Sequence, residues 1–149
     1  MNILVAVDLS DCTDVIVEKA RELAEGLGAK IWFLHVAEPE PDFVGYEVGP
    51  PSERDALAVQ FHREHAAVQA FAKDFRAQGL DATALLVRGA TAQTILQEAS
   101  KLEADIVVVG SHGRGAVQRL LVGSISEGVI RHAATPVLVV PTHKRSKGV

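Results

Sequence analysis

Cysteine is nearly missing from this chain: Cys12 is the single one in 149 residues. One thiol cannot build an internal disulfide framework, so the core must hold the fold, and this usage suits a reducing compartment. Long apolar runs are missing as well, and none approaches the roughly 20 residues that span a bilayer. The opening Met1-Asn2-Ile3-Leu4-Val5-Ala6-Val7-Asp8 has no basic leader and is interrupted by an acid, so it does not read as a signal peptide. The chain also lacks excess positive charge. Its 15 Lys and Arg stand against 19 Asp and Glu, for a formal net charge of -4. A broad nucleic-acid surface is therefore not expected, nor a membrane partner, and the reading is cytoplasmic. An anionic ligand would have to be drawn by local positive potential, from helix N-termini and a few placed cations. Internal repeats and low-complexity tracts are absent, and the length fits one domain that can bury roughly 70% of its unfolded surface.

What is present is an alternation of short apolar strands with amphipathic helical patterns. Ile3 to Val7 reads as a first strand. Asp11 or Thr13 is placed to cap a helix whose buried stripe is Ile16, Ala20, Leu23, Ala24 and Leu27, with Gly28 just past its end. Lys30 to Val36 forms a second strand. Ala37 to Pro51 holds four of the six prolines and reads as a loop, since no independent core follows. Ser52 starts a long helix, with Asp55 as a capping-box partner and an apolar face through Leu57, Phe61, Val68, Phe71 and Phe75; Gly79 closes it. Ala82 to Val87 is a third strand, and Thr91 caps a helix through Ile95, Ala99 and Leu102. Asp105 to Val109 is a fourth strand, a helix runs from Ile125 to His132, and Val137 to Val140 is a fifth strand between Pro136 and Pro141. Residues 143 to 149 form a short basic tail, Lys144, Arg145 and Lys147 being a solvated end.

Strand–helix alternation with continuous apolar strands predicts a single-domain α/β fold, a doubly wound, mostly parallel five-stranded sheet with helices on both faces. Ligands of such sheets sit beyond the carboxyl ends of the strands, where the strand order reverses. The first and fourth strands are the most apolar and the best candidates for the centre. Adjacency would set Asp8 against the segment that follows Val109.

That segment is the richest in chemistry. Gly110-Ser111-His112-Gly113-Arg114-Gly115 leaves the fourth strand, and Gly123-Ser124 opens the next helix. Gly110 permits a tight turn, Gly113 lets backbone approach an anion, and His112 and Arg114 add positive charge. Ser124-Ile125-Ser126-Glu127 has the form of a capping box at a helix start, where orphan amides and the positive dipole end favour an anion. Val117, Leu120, Leu121 and Val122 supply apolar surface to pack the loop down. A Walker loop would need lysine and a hydroxyl where Ala116 and Val117 stand, and a dinucleotide fingerprint fails at Gln118. Glycines that merely connect strand to helix are the plainer alternative; the Gly-Ser helix start and two cations after one buried strand favour an anion site.

These residues give the chain a resemblance to the universal stress protein family, in its ATP-binding branch, which carries Gly-x2-Gly-x9-Gly-Ser/Thr after the fourth strand. Gly110, Gly113, Gly123 and Ser124 match at each position, and Leu34-His35-Val36 and Thr135-Pro136-Val137-Leu138-Val139-Val140 are similar to family segments. The resemblance spans nearly the whole chain, taking residues 1 to 142 as the domain. It implies a Rossmann-like sheet of order 3-2-1-4-5, which puts the first strand beside the fourth. It implies ATP and Mg²⁺ as ligands: Asp8 near ribose and metal, Val36 on adenine, Val109 lining the base or ribose pocket. Phosphates would lie on Gly110, Gly113, Gly123, Ser124 and Ser126, with Ile125 offering backbone and His112 and Arg114 at the flanks. A homodimer through the Val137–Val140 edge strand is implied too. The first loop departs from the pattern: Leu9 stands where a small residue or glycine often follows the aspartate, and Asp11 is an extra acid. The function expected is a nucleotide-dependent stress-response regulator or sensor; the alternatives are a slow ATP hydrolase and a nucleotide-free interaction module. No lysine or arginine clamp for rapid phosphoryl transfer is visible, so catalysis is not the leading expectation.

Other titratable residues read as structural. His62 and His65, with Glu64 between them, lack zincin spacing and suit a solvated helix face. His35 reads as a strand residue packed under a helix. Cys12 suits a small helix-start position better than a reactive thiol.

Overall fold

Short β-branched and aliphatic runs sit between helices whose apolar residues recur on one side, and the computed structural model, which describes residues 1–37, 51–112 and 122–142, assembles them in strict alternation. The order is β1 (Asn2–Ala6), α1 (Thr13–Leu27), β2 (Lys30–Ala37), α2 (Pro51–Ala77), β3 (Ala82–Arg88), α3 (Thr91–Lys101), β4 (Ile106–Gly110), α4 (Ser124–His132) and β5 (Val137–Val140). All strand pairs are parallel, and the sheet order is β3-β2-β1-β4-β5. The expected doubly wound sheet and its central β1–β4 pair are therefore present. In register, Ile3, Leu4 and Val5 face Ile106, Val107 and Val108.

Alternation along the strands divides the core into two layers. On one face Ile3, Val5, Ile31, Phe33 and Val108 pack against Ile16, Val17, Ala20 and Ala24 of α1 and Val68, Ala72 and Phe75 of α2. On the other, Leu4, Leu34, Val107 and Val109 pack against Ile95 and Ala99 of α3 and Val129 of α4. Phe33 is fully buried and meets Phe75 edge-on at a centroid distance of 4.9 Å, the arrangement that ring quadrupoles favour. Arg21 of α1 lies 4.5 Å over the Phe75 ring and pairs with Asp74 at 2.7 Å, which ties α1 to α2.

Several local expectations are corrected. The α1 cap is Cys12, not Asp11 or Thr13, and no side chain caps it; the Thr13 hydroxyl turns back to Asp8 instead. Leu27 is 49% exposed, so the α1 stripe ends at Ala24. The αL residue after α1 is Gly28, at φ 61°, as expected of a C′ glycine. Helix α2 begins at Pro51, where proline's missing N–H is an orphan in any case, which puts Ser52 inside the first turn. Thr91 is the first helical residue of α3, and Ala90 is its cap. Residues 38 to 50 and the basic tail from 143 lie outside the described residues.

The Phe33–Phe75 contact generates a stability prediction. Phe33→Ala should cost about 3–5 kcal/mol, through lost transfer energy and the cavity left behind. Urea unfolding would measure it, and a loss under about 1 kcal/mol would contradict the packing described.

Candidate functional site

The chain direction reverses between β1 and β4. From β1 it winds outward through β2 to β3, and from β4 to β5 on the other side. The crevice beyond the carboxyl ends of β1 and β4 is the switch point of this sheet, the place where open α/β sheets take ligands.

Asp8 follows β1 and is half-buried. Its Oδ1 accepts the Ser10 amide at 3.0 Å and the Thr13 hydroxyl at 3.3 Å. Two donors thus fix how the carboxylate is turned, and they link it to the first turn of α1. Leu9, next in the chain, has φ 59°, in the left-handed region that favours glycine. Its side chain packs against the α1–α2 core layer, which offsets that strain by burial. Asp11 is exposed.

Gly110 ends β4, and a side chain there would crowd its neighbours. A Cβ built there would stand 2.9 Å from Ile16 Cδ1 and 2.9 Å from Thr142 Cγ2. Beyond it the chain leaves the sheet and returns at Gly123, and two hydrogen bonds close this excursion. The Gly123 amide donates to the Ser111 carbonyl at 2.6 Å, and the Ser126 hydroxyl donates to the Gly110 carbonyl. The two halves of the glycine pattern, thirteen positions apart from Gly110 to Gly123 in sequence, are therefore neighbours in space. Gly113 and Arg114 lie outside the described residues, as do Val117, Leu120 and Leu121.

Helix α4 starts here with Gly123 as its cap, and the first intrahelical bond runs from Glu127 N to the Gly123 carbonyl. The amides of Ser124, Ile125 and Ser126 have no acceptor among the described residues, as the first turn of a helix dictates. The expected capping box does not form. Ser124 is the first helical residue rather than the cap, Ser126 is buried on Gly110, and Glu127 pairs with Arg131 at 2.7 Å. Ser124 and Ile125 are exposed. Val36 and Val109 belong to the same core layer, on the α3–α4 face, at the ends of β2 and β4.

Two residues that sequence reasoning passed over hold the loop's base. Ser111 and Thr142 are buried. The Thr142 hydroxyl donates to the His112 carbonyl at 3.0 Å and accepts the His112 amide at 3.1 Å. The Thr142 amide donates to Ser111 Oγ at 3.0 Å. For Thr142, a hydroxyl residue directly past an apolar strand and its proline was the signal available. His35 was read as a packed strand residue and is one: Nδ1 lies 2.9 Å from the Val7 carbonyl and Nε2 lies 3.4 Å from Glu64 of α2. His62 and His65 are exposed.

A parallel sheet wound in both directions, with the end of β4 tied to the start of α4 at its switch point, defines a doubly wound α/β protein. The model of the universal stress protein family matches residues 1–141, and the chain belongs to that family. Among its relatives, the protein named universal stress protein in QAH/OAS sulfhydrylase 3'region, from Thermus aquaticus, is 35% identical over 144 residues, covering 93% of this chain and 96% of its own. The fold matches that of hypothetical protein MJ0577 with a TM-score of 0.77 at 24% identity, covering 95% of this chain and 96% of that one. A universal stress protein solved in complex with cAMP matches with a TM-score of 0.65 at 23% identity, covering 96% and 98%.

The crowding around Gly110 is testable. Gly110→Ala should destabilise the protein by about 1–3 kcal/mol through overpacking. Ile16→Val, which removes the Cδ1 atom in the way, should be less costly in the Gly110→Ala background than alone. A double-mutant cycle on thermal unfolding reads this coupling, and strict additivity would contradict the contact.

Proposed function

We propose that the switch-point crevice is an adenine-nucleotide site, that its physiological ligand is ATP with Mg²⁺, and that the protein holds the nucleotide as a regulator or sensor in the stress response. The observation that carries this reading is the closure of the glycine loop, because it brings Gly110 next to the open first turn of α4. Three amides with no acceptor among the described residues and the positive end of the helix dipole form an anion site there without any lysine. The relative solved with cAMP supports the adenine nucleotide as ligand class. In this reading Val36 and Val109 line the base and ribose side, while Gly113, Gly123, Ser124 and Ile125 face the phosphates. His112 and Arg114 flank them with positive charge. Ser126 serves the site through its bond to Gly110, which sets the loop end beneath the phosphates.

The donor set suits Mg²⁺. A nucleotide-bound Mg²⁺ commonly takes one or two carboxylates and fills its remaining positions with phosphate oxygens and water. Asp8 supplies a carboxylate whose orientation is set by Ser10 and Thr13. The metal would neutralise phosphate charge. Asp8 would then orient the triphosphate across the crevice from α4, and the backbone amides would hold it. Both ring nitrogens of His35 are engaged, so that residue supplies no general base. This favours retention of ATP over its hydrolysis.

Titration of ATP in the presence of Mg²⁺ tests the reading. The protein should bind at one site per chain, and Gly113→Val, which puts a branched side chain where phosphate approaches, should abolish binding. Asp8→Ala should weaken ATP with Mg²⁺ about ten-fold and ATP with EDTA far less, given the usual energy of a charge-assisted contact. Binding that Gly113→Val leaves unchanged would sink the proposal.

The self-association reading rests on β5. Among the described residues it pairs with β4 on one side only, and Leu138 is 37% exposed. Natural sheets cover such apolar edges, and a second copy of the same strand can do so symmetrically. Sedimentation at micromolar concentration should give a dimer, and Leu138→Lys should give a monomer. A monomeric parent protein would contradict this.

A further inference from the structure

Ser111 and Thr142 are 4% and 5% exposed, and their side-chain hydroxyls are bonded to one another's segment and to His112. Each polar group of Ser111 is engaged: its amide on the Val140 carbonyl at 2.8 Å, its carbonyl under the Gly123 amide, its hydroxyl with the Thr142 amide and with His112 Nδ1 at 3.1 Å. Thr142 adds both a donor and an acceptor to the backbone of His112. The β4–β5 ladder runs from Val107 opposite Val137 to Gly110 opposite Val140, with the Ser111 amide on the Val140 carbonyl as its last rung, and the side-chain bonds of Ser111 and Thr142 are no part of it. They act only past its end, where the loop leaves the sheet and where it returns.

We propose that Ser111 and Thr142 are positioning residues for the nucleotide loop: together they lock the backbone of Gly110 to His112 to the end of β5 and seat Gly123, so that the loop is closed before ligand arrives. This rests on the adenine-nucleotide reading. Closure in advance lowers the ordering cost of binding, the usual source of preorganised affinity. It also joins the site to β5. Ligand that holds the loop must in turn hold Thr142, because coupling between sites is reciprocal.

The test uses the full chain and a fluorescent ATP analogue with Mg²⁺. Thr142→Val keeps the shape but removes both side-chain bonds to His112. Affinity should fall about ten-fold, the scale of one or two lost hydrogen bonds. Thr142→Ser, which retains the hydroxyl, should restore affinity to within about two-fold of the parent, since that bonding is kept. Deuterium exchange of the Thr142 amide in the parent protein should slow when nucleotide is added, a response that a purely structural role would not give. If Thr142→Val does not fold, Ser111→Ala removes the shared bond from the other side and takes its place.

Equal affinity of the parent and Thr142→Val, or Thr142 exchange indifferent to bound nucleotide, would overturn this inference and leave the adenine-nucleotide reading standing. A parent protein that binds no adenine nucleotide would overturn both.

Discussion

The closure of the chain between Ser111 and Gly123 is the constraint on which the rest of the site depends. A strand end and a helix start that are far apart in sequence become one surface because a single amide donates to a single carbonyl, with the Ser126 hydroxyl as a second tie. The core makes this possible. Val107, Val108 and Val109 fix the end of β4 from both faces, and Val129 seats α4 on the face that Val107 and Val109 share. Where β4 ends and α4 begins is therefore set by apolar packing, and the polar bonds set how the intervening loop departs and returns. Removing Gly110 as a glycine strikes both terms, since the atoms that crowd it are a core isoleucine and the threonine that holds the loop.

The second wall of the crevice follows the same logic by different means. Asp8 follows the central strand and is turned by Ser10 and Thr13, so the first turn of α1 and the carboxylate hold each other in place. Leu9 keeps a left-handed backbone between them, and its packing against the core supplies the compensation. Among the described residues the site is built from two strand ends and two helix starts. Such a construction suits binding of a phosphorylated ligand through backbone and helix termini.

The sheet could be read in the sequence because its evidence is local and periodic. Continuous aliphatic strands, Gly28 past α1 and the stripe Ile16, Ala20, Ala24 are direct consequences of burial and backbone geometry. The order of strands was not in any single segment; the resemblance supplied it, and the sheet bears it out. Helix starts were read least well. Thr13, Thr91 and Ser124 are all good caps by residue type, yet each is a first helical residue, a one-position shift that a preference worth about 1 kcal/mol does not decide. Ser126 shows a competition: a hydroxyl that fits a helix start is held by the strand opposite. Thr142 and Glu64 were illegible for another reason. Their partners, Ser111 and His35, are distant in sequence, and no local pattern marks a bond across the sheet or from sheet to helix.

The central claim is that nucleotide occupies the space between the closed loop and Asp8, and amide chemical-shift mapping by NMR with ATP and Mg²⁺ tests it most directly. The largest changes should fall on Gly110 to His112, on Gly123 to Ser126, and on Asp8 to Ser10, with smaller ones at Val36 and Val109. Saturating ATP that leaves these amides in place, or moves mainly the outer surface of α2, would contradict the account.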